Sequence, residues 1–242
     1  MTPARPFVAV GVDPTAGTWP SRMQAGPKPM AAAAIAWDGR RLGLAVVERA
    51  RTNAELWAFC RAMGARVVAV DGPCATNGLR LRARWRGWDL RRRGGRRDGE
   101  VALAAEGFSL FWTTHATVAR FDGAARWIAR SLRLFADPAG GAFERIEVYP
   151  HGAFRLLGGP LPAKGTRGGR AARLAVLARF MDGVSAAALP DHDALDAGAA
   201  ALVGALRALG LARKVGTARG GGEIWMPAVD AIARCTLARS GA

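Results

Sequence analysis

The chain has 242 residues, half of them hydrophobic, and this length fits one large domain. There are 35 Lys and Arg residues against 19 Asp and Glu, and the net charge of +16 favours a polyanionic partner through counterion release. The 3 cysteines are widely spaced, form neither a zinc pattern nor a disulfide framework, and indicate a reducing cytoplasm. We expect no secretory leader and no membrane span, because the apolar stretch 194–212 contains Asp196 and Arg207.

Hydrophobic patterning and turn residues predict alternating strands and helices along the chain. Asp38-Gly39 is a two-residue hairpin signal between two apolar runs, and Thr52 with Glu55 forms a capping box for a helix that Gly64 ends. In chain order, we predict strands at 6–13, 31–37, 41–47, 66–71 and 143–148. We predict a helical region at 101–137 that is broken near Thr113-Thr114, and further helices from Pro150, at 168–183 and at 192–209. A short edge strand is predicted at Glu223–Met226.

The order of these elements selects a fold class. A hairpin meander, then a helix, then a returning strand is the opening order of the ribonuclease H-like (RNase H-like) fold. The alternative is a doubly wound sheet, but Asp38-Gly39 argues against a helix between the second and third strands. We therefore predict one α/β domain over residues 1–242, with a mixed five-stranded sheet flanked by helices. An Arg-rich helical insertion is expected at about 72–140.

Aspartates end two of the predicted strands. Asp13 closes the apolar run 7–12, and Asp71 closes the run 67–70. A buried carboxylate is unfavourable unless it is paired, hydrogen-bonded or bound to a cation. If the two strands are neighbours, a strand spacing of about 5 Å brings both carboxylates within reach of one cation. The alternative is that each is a turn aspartate, before Pro14 and Gly72 respectively.

A late helix supplies further carboxylates. Asp193 and Asp196 are three residues apart and share one helix face, whereas Asp191 follows a proline and suits the N-cap. The alternative is that all three cap the helix, which accounts less well for Asp196, deeper in an apolar stretch. Glu147, near the end of the fifth strand, is either a further acid at the edge of the site or a solvent-facing strand residue.

The carboxylates predict a metal site. Four carboxylates close together repel one another strongly without a cation. Two divalent ions a few ångströms apart activate water and stabilise the leaving oxygen in phosphoryl displacement. We therefore predict Mg²⁺ or Mn²⁺ as cofactor, with catalytic residues Asp13, Asp71, Asp193 and Asp196 and with Glu147 as an additional ligand.

The arginine-rich run at 80–97, which contains two tryptophans, is the candidate nucleic-acid-binding segment. Arginines bind phosphates and indoles stack on bases, whereas the alternative is a solvated helix face or a disordered loop, and the run is surface in either case. The predicted binding residues of the run are Arg80, Arg82, Arg84, Trp85, Arg86, Trp88, Arg91, Arg92 and Arg93. Lys164 is a further candidate phosphate contact. His151 and His192 flank acidic segments as proton shuttles or as ordinary surface histidines.

Short motifs over nearly the whole chain resemble the family named domain of unknown function 429, whose members are often labelled predicted RNase H-like nucleases. The motifs are Gly11-Val-Asp13, Val70-Asp71-Gly-Pro73, Ile146-Glu-Val-Tyr-Pro150, Lys164-Gly-Thr-Arg167 and Asp191-x-Asp-Ala-Leu-Asp-Ala197. The layout of acids also resembles RuvC-type resolvases, which implies metal ligation by Asp13, Asp71, Asp193 and Asp196. Those resolvases carry Glu on the fourth strand, where this chain has the shorter Asp71.

The sequence is compatible with three functions. The first is a metal-dependent nuclease that hydrolyses phosphodiester bonds of DNA or RNA. The second is a nucleotide-binding phosphotransfer protein of actin-like type, because the segment 13–18 superficially resembles a phosphate loop. The third is a non-catalytic nucleic-acid-binding module that uses the aspartates as caps.

Overall fold

The structure is a computed structural model, and it describes residues 5–14, 28–76, 96–113, 126–230 and 232–233. The predicted nucleic-acid-binding arginines and tryptophans between positions 80 and 93 lie outside these described residues. Much of the predicted insertion at about 72–140 also lies outside them, so the insertion stays a prediction.

One mixed sheet of seven strands organises the described part of the chain, in the order β3-β2-β1-β4-β5-β7-β6. Its first three strands form an antiparallel meander, and β1–β4, β4–β5 and β5–β7 are parallel pairs. An antiparallel hairpin of β6 and β7 completes the sheet. The strands are β1 (Phe7–Asp13), β2 (Met30–Trp37), β3 (Leu42–Ala50), β4 (Ala65–Asp71), β5 (Glu144–Val148), β6 (Ala212–Thr217) and β7 (Gly222–Pro227).

The predicted meander followed by parallel strands is confirmed, but the predicted number of five strands is wrong, because the sheet has seven. The sequence analysis missed β6, in which Arg213 and Lys214 interrupt the apolar pattern. Charged residues suit an edge strand, where they discourage pairing with another chain. The segment Glu223–Met226, predicted as an edge strand, lies in β7 and pairs on both sides.

Helices cover both faces of the sheet. They are α1 (Asn53–Ala62), α2 (Asp98–Ala105), α3 (Arg126–Ala136), α4 (Pro150–Gly158), α5 (Arg167–Ala178) and α6 (His192–Ala208). The Thr52 cap of α1 is confirmed, since the Thr52 hydroxyl accepts a hydrogen bond of 3.2 Å from the Glu55 amide. The predicted helical region 101–137 is wrong in part. Gly107, with a φ of 85°, follows the end of α2, and residues 108–113 are not helical.

The long helix α6 packs across β1, β2 and β4 and is buried along most of its length. Gly11 of β1 permits this close approach, because a Cβ there would lie 2.1 Å from the carbonyl oxygen of Ala197 and from the amide nitrogen of Ala201. The buried alanines of β2 and α6 also have small side chains, which let the helix and the sheet approach each other closely. On the opposite face, α1 and α3 contribute Leu56, Trp57 and Leu134 to a second buried cluster. None of the described helices is long and apolar enough to span a bilayer.

The contact at Gly11 yields a stability prediction. Gly11→Ala is expected to lower the free energy of unfolding by about 3 kcal/mol or more, because the backbone of α6 cannot move away without unpacking the core. Chemical denaturation measures the change. Gly43→Ala, in the edge strand β3, is the matched control, because a Cβ at Gly43 has no neighbour within 4 Å. We expect the control to stay within about 0.5 kcal/mol of the wild type. Equal stability of the two variants would contradict the proposed packing constraint.

Candidate metal centre

Three carboxylates meet where the central parallel strands end. β1 and β4 are parallel neighbours with Val12 opposite Val70, so Asp13 and Asp71 follow at adjacent strand ends. The first turns of α6 bring Asp196 to the same place. One carboxylate oxygen from each of these three aspartates lies within 4.8 Å of the other two. This spacing allows all three to ligate one ion, and carboxylate oxygens are the ligands that Mg²⁺ and Mn²⁺ prefer.

The three aspartates line an open cavity of about 460 Å³. Asp13 and Asp196 are largely buried, with exposed fractions of 9% and 4%. The pKa of Asp71 is raised well above its usual value, first because the carboxyl is buried and then because of the charges of Asp13 and Asp196. Burial and mutual repulsion together mean that this cluster is stable as three anions only with compensating positive charge.

Lys164 supplies part of that positive charge. Its Nζ donates a hydrogen bond of 3.0 Å to Oδ2 of Asp196. Burial acts to lower the pKa of Lys164, but the carboxylates of Asp196, Asp71 and Asp13 raise it overall. The side chain is still 53% exposed, so the ammonium borders both the carboxylates and solvent. Lys164 therefore places a positive charge between the carboxylates and solvent.

Asp193 lines the same cavity but is paired differently. Its Oδ2 accepts from the Lys28 ammonium, and its Oδ1 lies 3.0 Å from Nε2 of His192. Asp193 is not part of the group of carboxylates within 4.8 Å of one another that the described residues form. The structure thus brings together three of the four predicted catalytic aspartates and keeps the fourth on the cavity wall. The sequence analysis missed Lys28. The signal was available, since lysine occurs only at positions 28, 164 and 214 among 35 basic residues.

Asp191 is the N-cap of α6, as predicted. Its Oδ1 accepts a hydrogen bond of 2.9 Å from the Ala194 amide, and its Oδ2 accepts one of 2.6 Å from Arg49. Burial acts to raise the pKa of Asp191, but these hydrogen bonds lower it overall. The cap fixes the first turn of α6 and thereby the direction of the Asp193 and Asp196 side chains.

Glu147 lines the cavity and is engaged by a buried arginine. Its carboxylate accepts hydrogen bonds of 2.8 Å and 2.5 Å from Arg97 and one of 2.8 Å from the amide of Cys74. Arg97 also donates to the carbonyl of Gly221 at 2.6 Å and lies 3.5 Å from Glu100. The bond to Cys74 holds the chain just after Asp71. The prediction of Glu147 as a metal ligand stays a prediction, since both of its oxygens have protein partners here.

The position of Arg97 differs from the sequence-based prediction. The whole run 80–97 was expected on the surface, but Arg97 is completely buried. The physical reason is its pair of acidic partners, Glu147 and Glu100, which compensate the loss of water around the guanidinium. A run of arginines in sequence does not distinguish a member that ties two elements together from members that face solvent.

Arg130 of α3 is a further residue that the sequence analysis missed. Its guanidinium donates to the carbonyls of Pro14 at 3.2 Å, Lys28 at 2.7 Å and Arg51 at 2.8 Å. These carbonyls follow β1, precede β2 and follow β3, so one side chain ties three chain segments at the edge of the site. Burial lowers the pKa of Arg130, and the negative charge of Asp13 opposes that effect.

An aromatic wall faces the same cavity and consists of Phe111, Trp127 and Tyr149. The rings of Phe111 and Trp127 meet edge to face, with centroids 5.8 Å apart. His151 lines the cavity beside Tyr149, and the pKa of His151 is lowered by burial and then by the charge of Arg173. The cavity therefore has acidic, basic and aromatic parts. Of the predicted proton-shuttle candidates, both His151 and His192 border it.

The raised pKa of Asp71 yields a pH-dependent prediction. The metal-free protein has its full stability while Asp71 is protonated, below the pKa of an unfolded aspartate, and loses stability as the pH rises through the raised folded pKa. Asp71→Asn removes this repulsion. At pH values above the folded pKa we expect it to raise the free energy of unfolding, in EDTA, by on the order of 1–2 kcal/mol. Denaturation from about pH 3 to about pH 9 measures the difference, which should vanish at the acidic end.

Mn²⁺ should reverse this ranking. An excess of Mn²⁺ compensates the carboxylates and is expected to stabilise the wild type more than Asp71→Asn, because the variant has lost a ligand. Asp182→Asn is the control, since the Asp182 side chain is 71% exposed and remote from the cavity lining. An Asp71→Asn variant that is less stable than the wild type in EDTA would contradict the repulsive cluster.

No curated protein matches the chain. Among solved structures, T. thermophilus RuvC in complex with Holliday junction substrate is similar, with 13% sequence identity and a TM-score of 0.40. That match covers 81% of this chain and 90% of the RuvC chain. The family described as "Protein of unknown function (DUF429)" matches residues 11–219, which is most of the chain. The chain therefore belongs to the DUF429 family, as its motifs indicated.

Proposed function

We propose that the protein is an RNase H-like, Mg²⁺- or Mn²⁺-dependent nuclease that hydrolyses phosphodiester bonds of DNA or RNA. The observation that supports this most is the convergence of Asp13, Asp71 and Asp196 within 4.8 Å at the end of the central parallel strands. The net charge of +16 supports a polyanionic substrate. The family assignment by itself carries no activity.

The donor set fits a hard divalent cation. Three carboxylates offer the oxygen ligands that Mg²⁺ and Mn²⁺ prefer. The pKa of Asp71 is raised by burial and then by charge repulsion, and a cation would relieve the repulsion. In the proposal, Asp13, Asp71 and Asp196 hold the metal. The metal supplies activation of water and stabilisation of the leaving oxygen in phosphoryl displacement.

The surrounding residues keep the site in place and receive the substrate. Lys164 compensates Asp196 in the free protein, and in the proposal its ammonium turns to the substrate phosphate. Asp193 becomes the fourth ligand when it leaves Lys28. Glu147 holds the chain after Asp71 through the Cys74 amide, so we propose that Glu147 supports the site structurally. Its carboxylate would be available to the metal only after Arg97 released it.

A non-catalytic nucleic-acid-binding module is the second candidate, and one observation favours it. Lys28 and Lys164 already pair with Asp193 and Asp196, so part of the acidic charge is compensated without a metal. Such a protein keeps the basic surface and uses the aspartates for folding. The actin-like phosphotransfer reading depends on the segment 13–18, of which residues 15–18 lie outside the described part of the chain.

Substitution of the proposed ligands tests the nuclease. Asp13→Asn and Asp196→Asn are expected to reduce Mn²⁺-dependent cleavage of labelled DNA or RNA by more than about 100-fold, because each removes a charged metal ligand. Binding of the substrate should survive. Asp191→Asn is the matched control, since asparagine also caps a helix and Asp191 is held by Ala194 and Arg49 rather than by the carboxylate cluster.

The outcomes separate the candidate functions. Persistent cutting by the double variant Asp13→Asn, Asp71→Asn would refute the site assignment. Steeply salt-dependent binding without turnover would favour the binding module. Thermal stabilisation by a nucleotide, without cleavage, would favour the phosphotransfer protein.

A separate experiment tests whether the arginine-rich run at 80–97 binds nucleic acid. The triple variant Arg91→Gln, Arg92→Gln, Arg93→Gln is expected to weaken binding and to reduce the slope of log K against log salt by up to about 2–3, because each lost phosphate contact lowers it by about 0.7–0.9. Fluorescence titration over a range of salt concentrations measures both effects. The control triple changes the exposed residues Arg40, Arg41 and Arg61 to Gln. Equal slopes for the two triple variants would show that the arginine-rich run does not bind the nucleic acid.

A further inference from the structure

The aromatic wall is larger and more exposed than packing alone requires. Phe111 is 48% exposed, although phenylalanine is a residue that folding normally buries. It lies on the same cavity as the carboxylate cluster, with Trp127 and Tyr149 as the other aromatic rings. An exposed apolar ring on the wall of a charged cavity indicates a ligand with both an apolar face and a charged group.

Hydrogen bonds hold this wall in place. The Thr113 amide donates to both oxygens of Glu100 at 3.1 Å, which fixes the end of the segment that carries Phe111. The Tyr149 hydroxyl donates to the carbonyl of Ser109, two residues before Phe111. Trp127 belongs to α3 and packs edge to face against Phe111. The rings are therefore anchored to α2, α3 and the end of β5 rather than to a free loop.

The cavity combines the groups that one nucleotide needs. Its volume of about 460 Å³ lies within the range of small-ligand sites and suits a group of nucleoside size. The carboxylates and Lys164 lie where metal and phosphate would bind, and the aromatic rings provide a surface for a planar base. Aromatic side chains bind bases of single strands by stacking, whatever the sequence.

We propose that Phe111, supported by Trp127, stacks on the base of an unpaired nucleotide beside the scissile phosphate. The substrate is then single-stranded or locally unpaired nucleic acid. In a duplex each base is stacked and paired inside the helix, so it reaches a cavity wall only after it leaves the stack. This inference rests on the proposed nuclease function for the scissile phosphate, but the base-binding part is measurable without cleavage.

Binding in Ca²⁺ tests the stacking directly. An oligonucleotide with one fluorescent 2-aminopurine is titrated with protein, as a single strand and as a duplex. We expect Phe111→Ala to weaken single-strand binding by on the order of 10-fold and to abolish the quenching of 2-aminopurine, with duplex binding unchanged. A strand in which an abasic site replaces the 2-aminopurine should bind the wild type and Phe111→Ala equally. A parallel titration with a free mononucleotide shows whether the site binds a base within a strand or a soluble nucleotide.

Two further variants control for folding and for general hydrophobicity. Phe111→Trp keeps an aromatic face and should retain single-strand binding. Phe180→Ala removes a partly buried ring that does not line the cavity, and should leave the preference for single strands unchanged. Melting temperatures verify that each variant is folded.

The result that overturns the inference is distinct from the failure of the nuclease proposal. Equal single-strand affinity of wild type and Phe111→Ala, or an equal loss on single strand and duplex, refutes the base site even if the protein cuts. Absence of single-strand binding by the wild type also refutes it, and stronger binding of the free mononucleotide than of the strand refutes the polynucleotide substrate. A Phe111-dependent single-strand preference without any cleavage supports the base site and removes the nuclease function.

Discussion

The close contact between α6 and β1 is the constraint on which the rest of the site depends. Gly11 lets the helix backbone reach the sheet, and the Ala-rich surfaces of β2 and α6 continue the contact on either side. A larger residue at Gly11 would push the helix outward and carry Asp196 away from Asp13 and Asp71. Three carboxylates from distant parts of the chain thus meet because β1 has no side chain at Gly11, two positions before Asp13.

The second constraint is electrostatic. Burial and then the charges of Asp13 and Asp196 raise the pKa of Asp71. Lys164 compensates Asp196 within the cluster of three carboxylates, and Lys28 compensates Asp193 outside it. Nearly all other basic residues are arginines. A lysine ammonium is a compact point charge without the bidentate geometry of a guanidinium, so it would suit a carboxylate that, in the proposed function, exchanges its partner for a metal ion. Arginine is used instead where a fixed link is needed, as for Arg97 on Glu147 and for Arg130 on three carbonyls.

The two kinds of basic residue also divide the roles around the cavity. Arg97 and Arg130 tie together segments that are far apart in sequence, and neither lines the cavity. Lys28, Lys164 and the aromatic wall line it together with the carboxylates. A cavity wall with charged and aromatic parts is what the proposed substrate, a metal-bound phosphate with an unpaired base beside it, would require.

The sequence by itself determined the local elements and the candidate acids. Apolar strands that end in Asp13 and Asp71, the hairpin at Asp38-Gly39 and the N-cap at Asp191 are all local signals, because turn and cap chemistry depends on a few neighbouring residues. The charged edge strand β6 escaped such reasoning, because its pairing with β7 and not its own pattern makes it a strand. Only the tertiary structure decided which acids meet: Asp196 joins Asp13 and Asp71, whereas Asp193 pairs with Lys28 and Glu147 with Arg97. Asp13 and Asp196 are 183 positions apart, and Lys28 and Asp193 are 165 apart, so distance along the sequence carries no information about these contacts.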